Sequence, residues 1–407
     1  MPLLVGKKNL RFRLGIVLAC FYIFFSFMAH GSILNSNFHR ISLYLFLAWS
    51  AFFILTKKNI AMNPYFKWYF MFICFCLFSV IYAVNSFYAM EALYSMLVVL
   101  GVTYAFSIVI KKETDFIVLF WTYSLSAFLL FIILLLSGNL HLDERLGTSL
   151  FGNANTFASR FMVAAICSMW LFLHNCNYKI RIIIFIALLT QLYALALSGG
   201  RKYFLIPFIF LYIIMLLRRD SKGKKHILKY TLVFGCVVIL LFFLIFHVPI
   251  VYDAVGHRLE SLYNLVTGSG YVDGSALARQ HMIDYGFDLW LDKPILGYGI
   301  NNFMGLYGAD FGIYTYSHNN YIELLVNIGL FGFMLYYFYY MWLIRRLLII
   351  KSDNLGLRNF FIAYICCLFI FEIGAVTYNL LIVQFFLAFS AIYISGYSNR
   401  IFSGVFK

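Results

Sequence analysis

Tyr316-Ser317-His318-Asn319-Asn320-Tyr321-Ile322-Glu323-Leu324-Leu325 is where a long polar stretch gives way to an apolar run. The run continues to about residue 344 and is long enough to cross roughly 30 Å of hydrocarbon, which takes about 20 helical residues. Behind it, from Pro249 to Ser317, lies the only long segment of mixed polarity in the chain. This pairing predicts a membrane-spanning helix entered from a large loop outside the bilayer, and it sets the frame for the rest of the sequence.

Composition agrees. Of the 407 residues 63% are hydrophobic and 12% charged, with mean hydropathy +0.87, whereas soluble domains are about half apolar and a quarter charged. Lipid offers the backbone no hydrogen-bond partners, so the apolar runs are read as helices. Twelve such segments are expected, at 14–34, 41–55, 66–84, 89–110, 116–137, 153–174, 182–198, 203–217, 230–248, 318–344, 360–377 and 380–396. The predicted fold is an all-α integral membrane protein of about twelve transmembrane helices. Residues 1–248 hold the first nine, residues 249–317 one large external loop with short helices, and residues 318–407 the last three. The first run follows Lys7, Lys8, Arg11 and Arg13 and lacks a small-residue cleavage site, so it is read as a retained span.

The net charge of +15 is spread as single cations and pairs between the apolar runs rather than in one patch. That is the pattern of a topology signal, not of a nucleic-acid surface. Most of the Lys and Arg fall in 7–13, 57–67, 111–112, 179–181, 218–229, 345–358 and 400–407, which the positive-inside rule assigns to the cytoplasm together with both termini. The eight cysteines lie in or beside apolar runs without metal-site spacing and are read as small hydrophobes. No metal or cofactor is expected.

The remaining cations are Arg40, Arg145, Arg160, Arg201, Lys202, Arg258, Arg279 and Lys293, all on the predicted outer side. Against the charge rule they need a reason. An outward-facing cavity that holds an anion supplies one, while an interfacial snorkelling side chain is the competing explanation for any single member. Residues 138–152 end in a small-polar turn that opens the span carrying Arg160. Ser198-Gly199-Gly200-Arg201-Lys202 places two glycines and a cation pair at the start of a helix, a combination suited to phosphate; a tight turn with interfacial anchors is the alternative. In the loop, Arg258 precedes a flexible Gly268-Ser269-Gly270. A helix predicted from Ser275 to Leu291, stopped by Pro294, includes Arg279 in its first turns and presents a broad apolar face of Met282, Ile283, Gly286, Leu289 and Trp290 that would lie on the membrane surface. Gly297-Tyr298-Gly299 lacks the strand and lysine of a phosphate loop. His318 is expected to open the tenth span with Ser317 as N-cap. The helix dipole there disfavours imidazolium and a pyrophosphate would favour it, so His318 could accept a proton near neutral pH. Asn319, Asn320 and Glu323 keep it company.

These residues resemble the superfamily of O-antigen ligases and O-antigen polymerases, the Wzy and WaaL proteins of bacterial polysaccharide assembly. The resemblance runs through Arg201, then Arg258-Leu259-Glu260, then Arg279 to Trp290 and Lys293-Pro294-Ile295-Leu296-Gly297-Tyr298-Gly299, then His318 to Glu323 with Gly329 and Gly332. It implies a metal-independent, inverting glycosyl transfer from an undecaprenyl-pyrophosphate-linked glycan at the outer face of the bacterial cytoplasmic membrane. His318 would be the base for the acceptor hydroxyl. Arg279 and Arg201 would stabilise the pyrophosphate leaving group, and Arg258, Arg160, Lys202, Asn319 and Glu323 would contribute to binding. The implied partners are the lipid-linked donor, a lipid-linked acceptor, membrane lipids and a chain-length-regulating co-polymerase.

A polymerase extends another lipid-linked repeat unit, whereas a ligase transfers the glycan to the lipid A core. The Ser198 to Lys202 turn looks more like the polymerases, including those of capsules, and the ligase is the alternative. A twelve-helix secondary transporter is the competing class. Such carriers show related halves with a site at the bilayer midplane, and no repeat between halves is visible here.

Overall fold

The computed structural model describes residues 7–28, 35–56, 62–138, 145–217, 224–249, 252, 256–350 and 355–398. The helices are α1 Lys7–Met28, α2 Asn37–Thr56, α3 Pro64–Ser79, α4 Ser86–Val109, α5 Glu113–Leu136, α6 Thr148–Phe151, α7 Ala154–His174 and α8 Tyr178–Leu197. They continue with α9 Arg201–Leu217, α10 Lys224–His247, α11 His257–Thr267, α12 Gly274–Asp292, α13 Phe303–Phe311, α14 Asn320–Ile349, α15 Leu355–Phe371 and α16 Leu381–Ser398. No strand occurs among the described residues. Nine of the described helices are long and apolar enough to cross a membrane. Each of the twelve segments expected from sequence overlaps a helix, but the apolar parts of α1 and α10, Arg13–Met28 and Phe234–His247, are shorter than a full span, and α9 has 17 residues. Residues 139–144 and 399–407, and within the basic connections residues 57–61, 218–223 and 351–354, lie outside the described residues.

Local chemistry sets the helix starts. Asn63 caps α3, its side chain accepting from the Phe66 amide at 2.8 Å, with Pro64 in the first turn where a missing N–H costs nothing. Asn153 and Asn177 cap α7 and α8 in the same manner. Asp115 reaches back to the amides of Lys111 and Lys112 at 2.7 and 2.9 Å and closes the start of α5.

The chain forms two compact units. The first comprises Met1–Asn59, Ile108–Glu260 and Asn354–Ala363, the second Ile60–Ser107, Ser261–Asp353 and Tyr364–Lys407. The loop expected at 249–317 is thus divided at Glu260, and its described residues include the three helices α11, α12 and α13. In the first unit α7 is the most buried helix and meets α5 and α8. They share a buried polar node, Ser124 Oγ to Ser168 Oγ at 2.7 Å, Ser168 to Gln191 Oε1 at 2.8 Å and Gln191 Nε2 to the Ser124 carbonyl at 3.0 Å.

In the second unit α14 is not one rod. Gly329 has φ 62° and ψ −170°, a conformation essentially reserved for glycine. Residues 17 apart on a straight helix are about 25 Å apart, yet Asn320 Nδ2 donates to the Tyr337 hydroxyl at 3.0 Å and the Tyr321 and Tyr337 rings stack at 5.0 Å. Residues 320–328 therefore fold back along the helix from 330 onward. The single span expected at 318–344 is corrected: its first turns form a separate short helix that starts deep beside the second. The break is filled by the chain just after α12. The amides of Tyr298 and Gly299 donate to the Val326 and Asn327 carbonyls at 2.9 and 2.8 Å, and the Leu330 amide donates to the Pro294 carbonyl at 2.8 Å. The backbones approach so closely that a Cβ on Gly329 would lie 2.2 Å from the Ile295 oxygen, and one on Gly297 2.4 Å from that of Val326. The two loop glycines thus serve a backbone seam.

Two further expectations change here. The span drawn to 377 ends as a helix at Phe371, and residues 372–380 are not helical before α16 begins. The apolar face of the helix predicted at 275–291 does not lie free: Met282 packs with Tyr298, Phe303, Tyr307, Ile322 and Val326, with Ile283, Leu289 and Trp290 against them.

Candidate active site

In the second unit the extended chain between α13 and α14 carries Tyr316, Ser317 and His318 up to the N-cap of α14. The cap is Asn319, not Ser317: its side chain accepts from the Tyr321 and Ile322 amides at 2.9 and 3.2 Å. His318 stands just before the helix, half-buried, with φ 58°. A non-glycine residue held left-handed costs roughly 1–2 kcal/mol and persists only where its surroundings impose it. Those surroundings are specific. The Ser317 amide donates to Glu323 Oε2 at 2.8 Å, and Ser317 Oγ donates to the Asn319 carbonyl at 2.8 Å.

Glu323 was assigned from sequence to substrate contact. Its carboxylate is instead wholly buried, held by the Ser317 amide and by Asn327 Nδ2 at 3.1 Å, so it shapes the turn that presents His318. Asn319, 8% exposed, is likewise committed to the cap. The Tyr316 and His318 rings lie 4.3 Å apart. Burial raises the Tyr316 phenol above its ordinary range; Arg279 from α12 pulls it down and Glu323 pushes it up. Tyr316 therefore lies beside the His318 ring within the electrostatic reach of Arg279 and Glu323, and stays an un-ionised hydroxyl at neutral pH. This unit brings together a half-buried imidazole, a half-buried guanidinium and a phenol, a set able to remove a proton from a hydroxyl and to meet an anion.

The first unit carries the other arginines. Gly199, with φ 63°, turns the chain from α8 into α9, which begins at Arg201 and Lys202. Arg145 Nε donates to the Ser198 carbonyl at 3.0 Å and its guanidinium reaches Asn155 Oδ1 at 3.3 Å, tying that turn to the start of α7. Arg160, one and a half turns further along α7, lies over the Phe151 ring at 5.0 Å and donates to the Thr156 carbonyl. Lys202 lies over Tyr203 at 4.9 Å. Arg258 is on α11 and its side chain lies outside the described residues. Arg279, His318, Asn319 and Glu323 thus fall in the second unit, and Arg160, Arg201, Lys202 and Arg258 in the first.

Residues 186–337 match the O-antigen ligase family (Wzy_C). The matched segment covers less than half of the chain, yet contains seven of the eight positions named from sequence, leaving out Arg160. It ends at Tyr337, on which Asn320 rests. A comparison with curated proteins gives no match.

Sequence reasoning missed Glu372. It is wholly buried at the end of α15, accepting from Tyr337 and Tyr340 hydroxyls at 2.9 and 2.8 Å and from Thr377 Oγ1. A single acid inside a predicted span was the available signal, because an ionisable group in hydrocarbon is costly and is kept for a purpose.

Proposed function

We propose that this chain is a polyprenyl-pyrophosphate-dependent glycosyltransferase that polymerises lipid-linked oligosaccharide repeat units. The observation that carries the reading is the set around Tyr316: a histidine held in a left-handed turn and an arginine from another helix, both within the O-antigen ligase segment. In this reading His318 removes the proton from the acceptor hydroxyl, whose oxygen attacks the anomeric carbon of the donor. The bond from that carbon to the pyrophosphate oxygen breaks with inversion, and Arg279 meets the charge that develops on the leaving diphosphate. The donor is already activated, so fixed guanidinium and imidazole groups account for the chemistry. The roles of Arg201, Lys202, Arg160 and Arg258 toward the same anion rest on the sequence resemblance. Membrane placement follows the same reading: a bacterial cytoplasmic membrane, both termini inside, residues 249–317 on the outer side, and a chain-length regulator as partner.

The description of the matched family favours a second reading, transfer of the finished glycan to lipid A core. Deleting the protein in its host and resolving the glycans on a gel separates the two. Single repeat units on the core support the polymerase; polymer left on the carrier lipid beside bare core supports the ligase. Unchanged glycans overturn both. Transport has less support: the helix break at Gly329 has its backbone groups taken by residues 294–299, whereas carriers leave such groups to line an ion path.

A further inference from the structure

We infer that Glu372 is a positioning residue for His318, acting through Asn320; the inference rests on the glycosyl-transfer reading of that histidine. Asn320 is the second residue after His318 and is wholly buried. It is fixed by the non-helical segment that begins at Glu372 and by Tyr337 of α14. Its amide donates to the Glu372 carbonyl at 2.9 Å, and its side-chain oxygen accepts from the Thr377 and Tyr378 amides at 2.9 and 3.3 Å. Its Nδ2 donates to the Tyr337 hydroxyl at 3.0 Å. That hydroxyl in turn gives its proton to Glu372 Oε2, and the other carboxylate oxygen takes the hydroxyls of Tyr340 and Thr377. The carboxylate thereby orients the Tyr337 lone pair toward Asn320 and anchors Thr377, whose amide holds the other end of the same side chain.

A carboxyl buried among hydroxyls, with no cation beside it among the described residues, stabilises a helix bundle less than an apolar residue of its shape would. It does hold a geometry. The strained His318 has a wholly buried carboxylate on each side: Glu323, through the Ser317 amide, before it, and Glu372, through Tyr337 and Asn320, after it. The second clamp reaches further. Tyr340 continues to Tyr336 at 3.0 Å, Gln384 donates to Tyr336 at 3.1 Å, and Tyr65 donates to Gln384 at 3.0 Å. The position of His318 is thus referred to three other helices, α3, α16 and the second half of α14.

The test uses the full-length protein in detergent or liposomes, with Tyr337→Phe as the mildest variant and Glu372→Gln beside it. Each is expected to lower kcat by about tenfold to a hundredfold, the scale of a displacement near 1 Å, with donor KM within about twofold. The double variant should be no worse than the poorer single, because both cut one chain of contacts. The carbethoxylation rate of His318 with diethyl pyrocarbonate, followed by mass spectrometry, reports the imidazole independently of turnover and should change at least about threefold in both variants. Wild-type kcat and wild-type His318 reactivity in Tyr337→Phe and Glu372→Gln overturn the inference. Changed reactivity with glycan extension intact in His318→Ala leaves Glu372 as the positioning group and overturns the transfer reading instead.

Discussion

His318 has a backbone conformation that most residues avoid, and its neighbours Ser317, Asn319 and Asn320 spend nearly every polar atom on keeping it there. His318→Ala is therefore expected to abolish glycan extension, with normal amounts of protein in the membrane. Full extension by a well-expressed variant removes the proposed base. Arg279→Ala should come close to the same loss in the same extension assay. Tyr316 gives a contrasting expectation. Its phenol is held above the ordinary range, and an acid with a raised pKa remains protonated as pH climbs through neutrality. Tyr316→Phe should thus leave the shape of the activity profile across neutral pH unchanged, and a lost limb would show that this hydroxyl titrates. Much of this residue-scale detail was legible: polar residues crowded before an apolar run, with a histidine among them, marked the position. The roles were less so. Glu323 and Asn319 read as ligands for a substrate because a sequence does not reveal that a carboxylate is turned back onto its own loop.

Among the elements, α14 departs most from what periodicity suggests. An apolar run of 30 residues reads as one long helix, and the bend at Gly329 is set by partners far earlier in the chain, at residues 294–299, beyond the reach of any local pattern. Gly329→Ala is expected to destabilise the protein severely. Its φ and ψ are essentially closed to other residues, at a cost of order 1–3 kcal/mol, and the new methyl would meet the Ile295 carbonyl at 2.2 Å. Thermal unfolding in detergent should show a fall of several degrees or more, and an unchanged midpoint would mean that the fold-back is not the stable state. Gly332→Ala is the gentler control: the atoms nearest to its added methyl belong to the side chain of Ile328, although at 2.5 Å, so some repacking is needed. The loop glycines at 297 and 299 show the reverse lesson. They resembled part of a phosphate cradle only superficially, and their purpose is a close approach of two backbones.

At the level of the whole molecule, composition alone dictated a multi-pass helical membrane protein, because lipid leaves the backbone no other means of satisfying its hydrogen bonds. How the chain divides was not legible. The two compact units interleave three segments each, and the boundaries at Ser107, Glu260 and Ala363 fall inside helices, where no change of composition marks them. The positive charge predicts that a reporter fused after Lys407 is active only on the cytoplasmic side; alkaline phosphatase activity from such a fusion would reverse the assigned orientation. The fold-back at Gly329 also bears on how the protein is made. The 30 residues from Asn320 to Ile349 leave the ribosome as one apolar stretch, long enough to be inserted as a single transmembrane rod. They can bend only when residues 294–299, synthesised earlier, supply the seam, and Asn320 finds its anchor only after residues 372–378 have been made. A chain interrupted before residue 372 would therefore lack the contacts on Asn320 that help to aim its histidine.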